Sequence, residues 1–180
     1  MKRKILLLCT VVLLFAILSA GSLAYVTKTE TVHNVITTGA MELQLQQTGA
    51  DGKAYSDGPL EIMPGDTVVN RTAVTNSGAH PFWVRVQVKK AVKDSTLSAE
   101  GMLLDLNNRN WTYKDGYYYY NQALQAGQTT EALFTKISFD GASIGNEYLG
   151  KLFTLDVNVY GVQSENNGTT VWEAFGWPEA

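Results

Sequence analysis

Cysteine is almost absent. Of 180 residues the single one is Cys9, inside an apolar leader, so the rest of the chain has neither a disulfide nor a thiol nucleophile. Histidine is nearly as scarce, and His33 and His80 stand far apart with no His-Glu-x-x-His helix or close imidazole pair. That excludes the usual zinc-protease signature. No Gly-x-Ser-x-Gly elbow, Walker-type phosphate loop or EF-hand spacing occurs either, and carboxylates such as Glu30, Asp51 and Asp66 are scattered singly. No catalytic, cofactor-binding or metal-ligating set is therefore assigned. Charge is modest: the formal net value is −3, and losing Lys2, Arg3 and Lys4 with the leader takes it to −6. A mildly acidic surface of this kind suits neither nucleic acid nor anionic lipid as partner. There is almost no helical periodicity after the leader.

What the chain does have begins with that leader. Lys2, Arg3 and Lys4 precede an unbroken apolar run over residues 5–18. The run is about 14 residues, short of the ~20 that span a bilayer, and reads as a secretory signal. Membrane contact is then expected only through the uncleaved leader. Cys9 lacks the preceding small residue of a lipobox. Ser22-Leu23-Ala24 places small residues at −3 and −1, so signal peptidase is expected to cut between Ala24 and Tyr25, with Ala20 as second choice. About 156 residues remain, enough for one domain with its own core.

Residues 25–39 are rich in β-branched side chains and favour an extended backbone. Their apolar content is too thin for an independent element, so the segment needs a sheet edge, in its own subunit or a neighbour's. It is read as an arm or first strand, with Val26, Thr29, Val32, Val35 and Ile36 as its assembly residues, ahead of a domain over residues 40–180. Downstream, Met41, Leu43 and Leu45 alternate with Glu42, Gln44 and Gln46. Pro64-Gly65-Asp66 makes a turn that launches a strand over residues 68–75, and Asn76-Ser77-Gly78 reverses the chain. Phe82, Val84, Val86 and Val88 then alternate with Trp83, Arg85, Gln87 and Lys89. A loop or short helix is expected over residues 95–102. A strand over residues 132–139 follows a second Gly-centred turn at residues 124–130, and Phe153, Leu155, Val157 and Val159 form the inward row of the last strand.

Trp111 and Tyr113, then Asp115-Gly116, then four tyrosines at residues 117–120 read as a hairpin, because Asp-Gly tolerates positive φ in a tight turn. Period two sends Tyr117 and Tyr119 to one face and Tyr118 and Tyr120 to the other. Trp111, Tyr113, Tyr118 and Tyr120 are a candidate platform for glycan or peptide; equally, tyrosine is simply a good strand former with one wet end. Trp172 and Phe175, three apart, would share one side of a helical turn and cap the barrel end of their own subunit or plug a neighbour.

Three blocks carry a family resemblance. Ala24-Tyr25, Thr27, Thr29-Glu30-Thr31 and Thr38-Gly39 resemble the junction of the TasA/camelysin family of secreted Gram-positive proteins, with Lys28 departing from an acidic norm. The Pro64-Gly65-Asp66, strand, Asn76-x-Gly78 block is similar to the same family, as is the Gln163-x-Glu165-Asn166-Asn167 run before a short aromatic tail. The resemblance implies export by a dedicated ER-type signal peptidase and a place on the cell surface or in a biofilm matrix. It also implies one alternative, a metalloendopeptidase label; the aromatic hairpin offers another, a glycan- or peptide-binding surface module.

Together these readings predict an all-β antiparallel two-sheet β-sandwich, jelly-roll-like, behind a cleavable signal helix. The expected function is structural. The protein would be a secreted surface or matrix subunit that associates with itself or with other matrix proteins, the arm adding a strand to the next molecule's sheet. No cofactor is expected.

Overall fold

The computed structural model describes residues 33–35, 43–55 and 63–178. The expected leader, its cleavage point at Ala24 and Tyr25, and the arm residues Val26, Thr29, Val32 and Ile36 lie outside the described residues. So does the side chain of Val35.

Period two decides the strands. In β2 (Leu43–Thr48), Leu43, Leu45 and Gln47 are buried while Gln44 and Gln46 face solvent. β2 runs antiparallel to β3 (Thr67–Asn76), with Leu43 opposite Asn76. The turn before β3 closes as its sequence predicts: Gly65 takes φ +94°, the Asp66 amide donates to the Met63 carbonyl at 3.0 Å, and the Asp66 carboxylate accepts from the Met63 amide at 2.8 Å. β3 in turn pairs with β8 (Phe134–Phe139), their register slipping at a bulge between Val69 and Thr72. β5 (Met102–Leu104) pairs with β8 and completes the four-stranded sheet, in the order β2-β3-β8-β5. The expected loop or short helix over residues 95–102 is a run of turns and bends that leads into β5.

The second sheet has the order β1-β9-β4-β7-β6. Its spine is β4 (Phe82–Val92) against β9 (Phe153–Gln163), antiparallel along their whole length. β7 (Tyr117–Tyr120) and β6 (Trp111–Lys114) extend it as the expected hairpin, Asp115 and Gly116 both having positive φ. At the other edge β1 (His33–Val35) pairs with β9 in parallel. This corrects the wholly antiparallel expectation at one strand. From β3 onward the chain passes back and forth between the sheets, the β6–β7 hairpin apart, and so traces a jelly-roll-like sandwich.

Phe82, Val84, Val86, Phe134, Ile137, Phe153, Leu155 and Val157 fill the space between the sheets. The other face of the second sheet is also covered. Val171, Ala174 and Trp177 pack onto Trp83, Tyr119 and Val162, so the C-terminal residues form a strap across the sheet rather than a cap at its end. Trp172 and Phe175 do not lead this packing: they are 45 % and 69 % exposed.

Candidate functional site

The arm reaches the sheet at β1. Three residues pair there: His33 with Val157, Asn34 with Asn158 and Val35 with Val159. β9 is 11 residues long, so among the described residues its outer edge has no strand partner over residues 153–156 and 160–163. Beside the second of these stretches runs a groove of about 400 Å³ lined by Gly161, Val162, Gln163, Asn167, Phe175 and Pro178. A strand at the edge of a sheet beside an apolar wall is suited to strand addition.

The aromatic hairpin divides in two. Trp111 is 1 % exposed, its Nε1 donating to the Glu131 carbonyl at 3.0 Å, and Tyr120 is 6 % exposed, its ring 5.1 Å from Trp111. Both belong to the core. This corrects the four-residue platform: alternation places Trp111, Tyr113, Tyr118 and Tyr120 on one face, but that face turns inward against the other sheet. Tyr113 alone is largely exposed, at 60 %, its ring 4.9 Å from the half-buried Tyr118. Tyr118 also lines a cleft of about 250 Å³ with Val88, Leu103, Leu104 and Leu106. The Tyr120 hydroxyl donates a short hydrogen bond to the Glu131 carboxylate. Burial, reinforced by that carboxylate, pushes the phenol up to about 12, while the same bond holds Glu131 below its usual range.

On the opposite face of the hairpin lies a site that alternation alone did not reveal. Arg85, in the row expected to face solvent, is 9 % exposed. Its guanidinium lies 3.9 Å from the Tyr117 ring centre, 4.8 Å from Trp177 and 5.4 Å from Tyr160. Nη2 donates to the Pro178 carbonyl at 2.7 Å and Nη1 to Tyr119 Oη at 3.4 Å. The strap itself is closed by reciprocal bonds: Asn167 Nδ2 donates to the Phe175 carbonyl and Phe175 N to Asn167 Oδ1. Trp83 Nε1 adds a bond to the Asn167 carbonyl at 2.9 Å. Asn167, at the end of the Gln163-x-Glu165-Asn166-Asn167 run, therefore ties the strap to the sheet.

Asn76 is a second residue that carries more than its turn. Fully buried, it donates to the carbonyls of His80 and Leu124, and its Oδ1 accepts from Gly78 N. That stitches the β3–β4 connection to the loop before β8. Near the far end, Lys151 Nζ lies 2.6 Å from Asp94 Oδ2 and, with Thr96, holds the Asp94 carboxyl well below the usual range. Among the described residues no three His, Cys, Asp or Glu side chains converge as metal ligands. Glu30 lies outside the described residues, while Asp66 serves its turn and Asp51 its loop, accepting from Lys53 N at 3.1 Å. No family model, curated protein or solved structure matches the chain.

Proposed function

We propose that this chain is a structural subunit of the TasA/camelysin type, exported to the cell surface or a biofilm matrix. It assembles when the arm, residues 25–38, adds a strand to the next molecule. The observation that carries this reading is the sheet edge itself: the one described stretch of the arm, β1, pairs in parallel along β9, a strand of 11 residues. Each backbone hydrogen bond of such a parallel ladder is worth roughly 0.5–1.5 kcal/mol net. An arm held at a sheet edge by bonds of this size can exchange with a neighbour's while the sandwich stays folded. Because donor arm and acceptor edge are different surfaces, each subunit that accepts still has an arm to donate, which gives an open chain of subunits.

The test is electron microscopy of the purified protein beginning at Tyr25, after days near neutral pH, beside the same protein lacking residues 25–38. Filaments from the longer form only are the expected result. Filaments from both forms would remove the arm from assembly. If both stay monodisperse, the exposed Tyr113 and the cleft beside Tyr118 favour a soluble binding module instead.

A further inference from the structure

The side chain that closes the C-terminal strap belongs to the chain's one Asn-Gly pair, Asn167-Gly168. The fold fixes both members. Asn167 Nδ2 donates to the Phe175 carbonyl at 3.0 Å while its Oδ1 accepts from Phe175 N at 2.9 Å, so the position calls for a donor and an acceptor on one short side chain. Gly168 has φ +78°, and a Cβ there would lie 2.7 Å from Glu173 Cβ and 3.0 Å from the Glu173 carbonyl carbon. A side chain is excluded twice over, by backbone conformation and by contact with the strap.

That pairing has a chemical consequence. A glycine amide is the least hindered backbone nucleophile that can follow asparagine, because no side chain screens it. Once deprotonated, Gly168 N can attack Asn167 Cγ: the new N–C bond closes a succinimide ring and the Cγ–Nδ2 bond breaks, releasing ammonia. Water then opens the ring at one of its carbonyls and leaves aspartate or isoaspartate at position 167. The sum is water taken up and ammonia lost. Attack requires the side-chain amide to leave Phe175 and turn toward the nitrogen that follows it, so the closed strap protects the pair and each local opening exposes it.

We infer that Asn167-Gly168 is a self-modification site whose reaction with water unlocks the strap irreversibly. The product cannot close the strap again in the same way. An aspartate at position 167 still accepts from Phe175 N but has no donor for the Phe175 carbonyl, and it sets two acceptor oxygens face to face. Its negative charge also enters a turn that already holds the Glu173 carboxylate, bound at 2.8 Å by both the amide and the hydroxyl of Thr169. Isoaspartate does more, because its main chain runs through Cγ and moves the carbonyl that accepts from Trp83 Nε1 at 2.9 Å. Val171, Ala174 and Trp177 are thereby loosened from Trp83, Tyr119 and Val162, and the apolar outer face of the five-stranded sheet opens. The reaction runs one way, so the open fraction of a population grows with its age.

The test ages the whole folded chain at mildly alkaline pH, which speeds the attack, and reads each asparagine by peptide mass and isoaspartate content. Asn167 is expected to convert before any other asparagine, its exposed neighbour Asn166 included. The converted protein should show amide exchange over residues 171–178 about ten-fold faster than fresh protein, and Asn167→Asp should reproduce this. In the chain unfolded with urea, conversion at Asn167 should be at least about ten-fold faster than in the folded chain, because no strap protects it. Conversion at Asn167 no faster than at Asn166 overturns the site. Conversion that leaves strap exchange unchanged overturns the release, and equal rates in folded and unfolded chains overturn protection by the strap. If Asn167→Asp does not fold, the aged protein, separated from fresh by its added charge, carries the same change on a chain that has already folded.

Discussion

Arg85 Nη2 donates a 2.7 Å hydrogen bond to the carbonyl oxygen of Pro178, 93 positions along the chain. A largely buried cation, stacked on Tyr117 and Trp177, thus fixes the end of the C-terminal strap to the outer face of the five-stranded sheet. Two effects oppose each other when Arg85 is replaced by Met. The strap loses its charge-assisted bond and its cation–π contacts, while the sheet is relieved of a buried charge whose Nε has no partner among the described residues. The expected result is a split: global stability within about 1 kcal/mol of the parent, but amide exchange in residues 171–178 about ten-fold faster. Unchanged protection of the strap would show that apolar packing alone holds it.

Trp111 and Tyr113 lie two residues apart on one face of one strand and should answer differently to truncation. Trp111→Ala removes the largest fully buried side chain and orphans the Glu131 carbonyl, for an expected loss of roughly 3–5 kcal/mol in denaturant unfolding. Tyr113→Ala removes a mostly exposed ring and is expected to cost within about 1 kcal/mol. If a glycan or peptide binds this hairpin, Tyr113→Ala weakens it with the fold intact. An equal loss of stability from the two would contradict the burial described.

The strands were legible wherever a single face is buried. β2 and the first part of β9 follow period two, and Asp115-Gly116 and Pro64-Gly65 announce their turns through φ. Alternation says which residues share a face, however, and not what lies over it. Trp111 and Tyr120 have the pattern of an exposed ladder and are core because the other sheet covers them. Arg85 has the pattern of a solvated residue and is buried because the strap, far along the chain, folds over it. The partner of β1 is a tertiary choice that local sequence does not encode. Gln47 stands in phase with Leu43 and Leu45, and a polar side chain in an apolar row marks a buried hydrogen-bond site.

Gly161 tests how closely the two sheets approach. Its missing Cβ would lie 2.4 Å from Leu43 Cδ1 and 3.5 Å from the Trp83 carbonyl oxygen, so Gly161→Ala must push Leu43 aside. Leu43 is 5 % exposed, but the atom in the way is the end of a flexible side chain, which places the expected cost at the low end of roughly 1–3 kcal/mol. Shortening the side chain in the way should recover part of this: Gly161→Ala with Leu43→Val is expected to be more stable than the sum of the two single changes, read as urea midpoints at constant m. Strict additivity would mean that the chain moves as a whole to admit the methyl.

The Tyr120–Glu131 pair predicts a dependence on pH at both ends of the scale. The Tyr120 phenol is pushed up to about 12, first by burial and then by its bond to Glu131, from an unfolded value near 10. Between these values the unfolded chain has already released the proton that the folded chain retains. Raising the pH therefore favours unfolding: the stabilisation is complete below about pH 10 and lost as pH rises through about 12. Glu131 works in the opposite sense. The bond from Tyr120 lowers its carboxyl, so its contribution is present above about pH 4.3 and lost as pH falls through the depressed folded value. Tyr120→Phe should flatten both limbs of the stability profile and abolish the phenol ionising near pH 12 in an ultraviolet titration. A variant that loses stability evenly across the pH range would show that the Tyr120 ring, not its hydroxyl, makes the contribution.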